Sequence, residues 1–223
     1  MKQITKLQEP NSLLQHRAKQ FANFDNIPNT TKEELKHNLL SEQGHICCYC
    51  MKRIPEKAFP YVKVEHYKCQ DHFEDLQLDY KNLLGACTGN EGQPKKLQTC
   101  DTKKANETLT INPLNTNPSC ETLFKFNSEG EMSSISDDEV INKQINAILN
   151  LNMQSLKDAR KEVYYIVQKR VRAESKRTKN DKPAFVRFLN QELQVWQSKT
   201  DCKFRPYCLV AIYYLTKKLK SNN

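Results

Sequence analysis

Apolar residues in this chain recur at helical spacing near both ends and alternate with polar ones at one place in the first half. Leu14, Ala18 and Phe21 have the spacing of one helix face, and the polar, proline-containing run 24–30 follows as a connection. From Thr31 to Gly44 the punctuation predicts a helix. Thr31 caps the first turn, Glu34 returns the bond, Leu35 and Leu39 recur at four, and Gly44 closes the end. The chain thus reaches Cys47 directly from a helix terminus. Between Tyr61 and His66, Val62 and Val64 alternate with Lys63 and Glu65, which predicts a short strand with one buried face. Neighbouring strand residues point in opposite directions, so Glu65 and His66 share a site only if the strand ends or bends there. Residues 85–104 hold Gly89, Gly92 and Pro94 and read as a loop.

Asn112-Pro113 closes this unit, and 115–138 is a polar linker region with one more short strand predicted over 122–126. From Glu139 the period turns helical. Ile141, Ile145, Ile148 and Leu149 form one stripe, and Leu156, Val163 and Val167 another. A third segment carries Phe185, Phe188, Leu189, Leu193 and Trp196, and a fourth runs from Leu209 to Leu219. The expected organisation is α+β: an N-terminal helical arm over 1–30, a core over 31–115, a linker over 116–138 and a helical C-terminal domain over 139–223. No internal repeat or long low-complexity tract is visible.

At 223 residues the chain can bury at least one core. No apolar run resembles a signal peptide, and Cys208 to Leu215 is far short of the roughly 20 residues of a membrane span. The expected location is the cytoplasm. There, nine cysteines, an odd number, favour metal binding over a disulfide framework. The net charge of +9 points to a polyanionic partner such as nucleic acid. Much of the excess lies between Lys157 and Lys179, where nine basic residues meet Asp158, Glu162 and Glu174, a run equally suited to a solvated helix face.

The chemistry-bearing residues lie in the first half. Structural zinc takes four ligands in a tetrahedron, two of them commonly from a Cys-x-x-Cys turn. Cys47 and Cys50 form such a turn, and Cys87 and Cys100 complete a four-cysteine set with twelve residues looping between them. Cys48 is a bystander, or replaces Cys47 in an alternative register. His66 has the imidazole pKa suited to a general base that deprotonates water. Glu65 and Asp101 offer the hard oxygens that Mg²⁺ or Mn²⁺ prefers, and Asp101 follows directly on Cys100, so the knuckle would hold it in place. The Asn82 amide can bridge loop backbone groups and steady the imidazole. It equally suits a cap or turn. Lys103 and Lys104 follow as phosphate contacts or as a solvated loop end.

The order Cys-x-x-Cys, Glu-His, Asn-Leu-Leu-x-x-Cys, Cys-Asp-x-x-Lys, read at Cys47, Cys50, Glu65, His66, Asn82, Cys87, Cys100, Asp101 and Lys104, resembles the HNH endonuclease family. More narrowly it is similar to the HNH subunits of Septu-type and retron-associated antiphage systems. Ile111-Asn112-Pro113-Leu114 and Leu149-Asn150-Leu151-Asn152 extend the resemblance to most of the chain. It implies a zinc-knuckle ββα-metal fold with His66 as general base, Asn82 positioning it, and Glu65 with Asp101 holding Mg²⁺ or Mn²⁺. It also implies a partner, an ABC-type ATPase that controls the nuclease. The family more often has aspartate at the place of Glu65, and histidine or asparagine at that of Asp101, which brings in His72 and Asn90 as substitutes. Two other classes compete: a non-catalytic zinc-knuckle module that binds nucleic acid through its basic helices, and a scaffold that docks an ATPase through its apolar helical stripes.

Overall fold

Two prolines set the entrances of the first two helices. Pro10 precedes α1 (Asn11–Arg17) and Pro28 precedes α2 (Asn29–Glu42). A fixed φ and a missing N–H suit that position, and the Pro28 carbonyl accepts from Lys32 N at 2.9 Å. The computed structural model describes residues 1–55, 58–114, 116–179 and 181–222; the expected boundary residues Asn115 and Asn223 lie outside them. Helix α1 buries Leu13 and His16 instead of the expected Leu14, Ala18 and Phe21. It stops at Arg17, so no helix face reaches Phe21, which is exposed at φ +61°. The expected cap by Thr31 also does not form: α2 starts two residues earlier, Thr31 is buried within it, and Glu34 instead accepts from Ser12 Oγ. The other end of α2 follows expectation. Gly44 N donates to Ser41 O and His45 N to Leu40 O, with Gly44 at φ +61°, a glycine-closed helix end.

Leu35 and Leu39 of α2 are fully buried in a small cluster with Leu13, Ile27, Leu78, Tyr80 and Leu83. The turn α3 (Ala58–Tyr61) leads into β1 (Val62–His66), so the strand starts one residue after Tyr61. It pairs antiparallel with β2 (Leu83–Cys87), from Val62 opposite Cys87 to His66 opposite Leu83. Both sides of β1 are covered, not one. Val62 joins the main core and Val64 packs on the small cluster, while Glu65 and His66 are also buried.

Strand β2 extends into the stretch read as a loop. Gly85 and Ala86 carry little strand propensity, and a distant side chain supplies the missing support. Gln43 Oε1 accepts from Gly85 N at 2.7 Å and Gln43 Nε2 donates to Gly85 O at 2.8 Å, as a neighbouring strand would. The same stretch ends in a short helix, α4 (Cys100–Lys104). The loop between them is tied at its neck by Thr99 N to Gly89 O, 2.9 Å. The segment 116–138, expected to hold one strand, holds two: β3 (Phe124–Phe126) and β4 (Met132–Ser134) form an antiparallel hairpin, with Phe124, Phe126 and Met132 buried.

The rest is helical, as expected: α5 (Glu139–Lys143) with a π-helical turn over Gln144–Ile148, α6 (Gln154–Arg177), α7 (Lys182–Gln197) and α8 (Cys208–Lys220). The stripes of α5 and α6 bury Ile141, Ile145, Leu149, Leu156 and Val167. They also bury Arg160, whose guanidinium donates to Gly130 O, Leu151 O and Asn152 Oδ1. Helix α8 is covered on nearly every side, and its Val210, Ala211 and Leu215 share one buried cluster with Ile46, Leu84 and Cys100. The described residues are thus mixed α and β, with two small two-stranded sheets and a mostly helical second half. No helix among the described residues is long and apolar enough to cross a membrane.

A Cβ on Gly44 would stand 2.5 Å from Phe204 Cδ2 and 2.9 Å from Phe204 N. The left-handed φ adds a second penalty. Gly44→Ala is therefore expected to cost about 2 kcal/mol or more in urea unfolding; an unchanged midpoint would show that the α2 end does not need glycine.

Candidate functional site

The knuckle starts where α2 ends. Cys47 N donates to Lys52 O, Met51 N to Cys47 O, and Lys52 N to Cys50 Sγ at 3.4 Å, a tight turn that points both thiols inward. Cys87 is the last residue of β2 and Cys100 the first of α4. Cys100 sits at φ +55° and is tied by its N–H to Leu149 O at 2.9 Å. The four sulfurs all lie within 4.8 Å of one another, with Cys47–Cys100, Cys50–Cys87 and Cys87–Cys100 each at 3.8 Å. A tetrahedron of thiolates around zinc, with bonds of about 2.3 Å, has edges of about 3.8 Å. The donor set and its spacing fit zinc. Cys48 is buried but stands outside the set, with its N–H on Gly85 O and burial raising its thiol pKa. The register in which it replaces Cys47 is not the one formed.

Beside this cluster a cleft of about 500 Å³ is lined by Glu65, His66, Asp101 and Lys104, among others. Strand β1 ends at His66, which lets two adjacent residues line one cleft. Glu65 is 1% exposed; its Oε1 accepts from Tyr49 Oη at 2.6 Å and lies 2.9 Å from Lys104 Nζ. Asp101 lies 3.1 Å from Lys63 Nζ and within hydrogen-bonding reach of Glu65. Burial, then the neighbouring Asp101, push the Glu65 carboxyl well above the usual carboxylate range. Burial also raises Asp101, but the hydrogen bond with Glu65 and the Lys63 ammonium outweigh it and hold Asp101 low. A pair of adjoining carboxyls that resist carrying two charges is an arrangement a divalent cation relieves. Glu65 and Asp101 therefore fit a hard cation as two oxygen donors. Among the described residues, only the four cysteines gather three or more such ligand atoms.

His66 is 8% exposed, with its ring edge-on to Phe24 at 4.5 Å and Nε2 3.0 Å from Gln77 O. A neutral ring that donates Nε2–H to this carbonyl keeps the Nδ1 lone pair as acceptor. Burial lowers its pKa and outweighs the bond to Gln77, which raises it, so the net effect favours the neutral ring. Asn82 bridges backbone groups of the intervening loop. Its Oδ1 accepts from Lys68 N at 2.7 Å, and its Nδ2 donates to Lys68 O and Leu76 O. The Leu76 contact is next to Gln77, the histidine's partner.

The two lysines part company. Lys103 Nζ reaches Lys95 O near the surface, whereas Lys104 is 1% exposed and donates to His66 O at 3.1 Å in addition to its Glu65 pair. The expected phosphate contact is instead the buried counter-charge of the carboxylate. His72 is exposed, and neither it nor Asn90 lines the cleft; Asn90, at φ +58°, donates to Leu97 O and so shapes the loop. Sequence reasoning missed Lys63, Tyr49 and Gln77. Lys63 carried a usable signal, since i and i+2 on a strand share a face with Glu65; the other two carried none.

Over 97 residues the chain is 32% identical to a protein of Bacillus thuringiensis named Septu protein PtuB, an alignment covering 43% of this chain and 36% of that relative. The match thus spans about a third of the relative's length. No family model matches the chain.

The thiol geometry predicts one tightly held zinc per chain, released when thiols are modified and read with a chromogenic chelator. Cys47→Ser and Cys100→Ser should lose it, whereas Cys48→Ser should keep it. Equal loss from Cys48→Ser would contradict the assigned ligand set.

Proposed function

We propose that this chain is a metal-dependent HNH-type endonuclease and the effector subunit of an antiphage defence system, controlled by a partner ABC-type ATPase. The observation that carries the reading is the cleft where Glu65, Asp101 and His66 meet at the end of an antiparallel hairpin, beside a four-cysteine centre. The order β1, β2, α4 with the cysteines at its joints supports a ββα-metal core with a zinc knuckle. The similarity to Septu protein PtuB supports the defence role and, through it, the partner ATPase.

In this reading nucleic acid lies across the cleft with a phosphodiester bond facing Glu65 and Asp101. A bound Mg²⁺ or Mn²⁺ supplies charge stabilisation at the scissile phosphate. His66 takes a proton from the attacking water at its acceptor nitrogen, while its other nitrogen is anchored on Gln77 O. Asn82 is a positioning residue that acts through the 68–77 loop. Lys104 balances the charge of Glu65 from the wall of the cleft. A zinc knuckle that only bound nucleic acid would have no use for a histidine so anchored beside two carboxyls.

Cleavage of plasmid, single-stranded DNA and RNA with Mg²⁺ or Mn²⁺, with and without the ATPase, tests this directly. His66→Ala should reduce cutting by about 10² to 10⁴-fold with nucleic-acid binding retained. Cutting at the wild-type rate by His66→Ala would remove the proposed base.

A further inference from the structure

A cavity of about 800 Å³ lies among β3, α6, α7 and α8 and shares no lining residue with the acidic cleft. Four cations line it: Arg172 and Lys176 from α6, Lys217 and Lys218 from α8. Among the described residues no carboxylate does. The structure sorts the basic run of α6 that the sequence left ambiguous. Arg160 is buried, and Lys161, Arg170 and Arg177 pair with Glu129, Glu192 and Glu174. None of the four cavity cations pairs with a carboxylate among the described residues.

The walls between these cations are aromatic. Tyr164 meets Tyr214 edge-on at 5.0 Å and Phe126 meets Tyr213 at 5.9 Å, with Tyr164 and Tyr213 half-buried. Lys218 Nζ lies 5.8 Å from the Tyr214 ring centre. A neighbouring hollow of about 290 Å³ shares Gln168, Arg172 and Lys176 and adds Lys169 and the exposed Tyr165, so the cationic and aromatic track continues around α6.

We propose that this cavity binds single-stranded nucleic acid, with phosphates on the four cations and bases against the tyrosines. Unpaired cations track a phosphate backbone, and aromatic rings between them give each base a stacking surface. A duplex keeps its bases stacked on one another and offers none to rings set in a hollow. The inference rests on nucleic acid being the substrate of the proposed nuclease, and it adds a strand-holding site remote from the bond that is cut.

The test is fluorescence anisotropy of the full chain, without added Mg²⁺ or Mn²⁺, on labelled oligothymidylate and oligouridylate of about 20 nucleotides, and on a duplex of the same length. Arg172→Ala/Lys217→Ala/Lys218→Ala should weaken single-strand binding at least tenfold and flatten the log–log salt slope by about 2, at about 0.7 per cation. Lys217→Arg/Lys218→Arg should bind within about twofold of wild type, because the charges are kept. Hydrolysis of bis(p-nitrophenyl) phosphate with Mn²⁺ reads the acidic cleft alone and should be unchanged in the triple variant. Undiminished strand binding by that variant, tighter binding of the duplex, or equally effective competition by polyglutamate would each overturn the inference. A wild type that binds the strand through this cavity yet never hydrolyses the small diester would support the inference and count against the nuclease reading.

Discussion

Four sulfur atoms drawn within 4.8 Å of one another tie together three parts of the chain that are distant in sequence. One part is the turn after α2, the second the end of β2, the third the start of α4. A five-residue helix such as α4 has no stability of its own, since nucleating a helix costs more than a single turn returns. Its position comes from Cys100, held through the sulfur cluster on one side and by Leu149 O on the other. Asp101 is the next residue, so the placement of one carboxyl of the cleft follows from the placement of a thiol. Removing any one sulfur therefore reaches the acidic cleft as well as the fold.

The cleft is also a problem in buried charge. An unpaired ionised carboxylate in the interior is costly, and two adjoining ones more so. The chain meets this with Lys104 against Glu65, Lys63 against Asp101 and the Tyr49 hydroxyl on Glu65. Each partner comes from an element the sulfurs fix: Tyr49 lies inside the knuckle, Lys104 on α4, and Lys63 on the strand paired to β2. The four-cysteine cluster and the acidic pair are one construction, because the elements that the sulfurs join carry or pair with those that hold the two carboxyls and their lysines.

Much of this was legible in the sequence because it depends on local chemistry. The Cys-x-x-Cys turn, the Glu65-His66 step at a strand end and the glycine closing α2 follow from residue type and spacing. What was hidden depends on distant partners. Strand β2 passes through Gly85 and Ala86 because Gln43 hydrogen-bonds Gly85 from 42 residues away. Lys104 looked like a surface cation because nothing local tells a lysine on a short helix that a buried carboxylate on β1 will pair with it. Arg160 belonged to a basic run by composition but to the core by periodicity, lying four residues after Leu156 and seven before Val167. The early helix α1 was misread for the opposite reason: apolar spacing continued through Phe21 after the backbone had already turned at Arg17.

The central claim is that Glu65 and Asp101 together form a divalent-cation site. Electron paramagnetic resonance of Mn²⁺ titrated into the zinc-loaded chain tests it without reference to any substrate. The account predicts one Mn²⁺ held per chain by wild type, and loss of that binding in both Glu65→Gln and Asp101→Asn with the zinc still in place. Mn²⁺ binding that is absent from wild type, or unchanged in either variant, would contradict it.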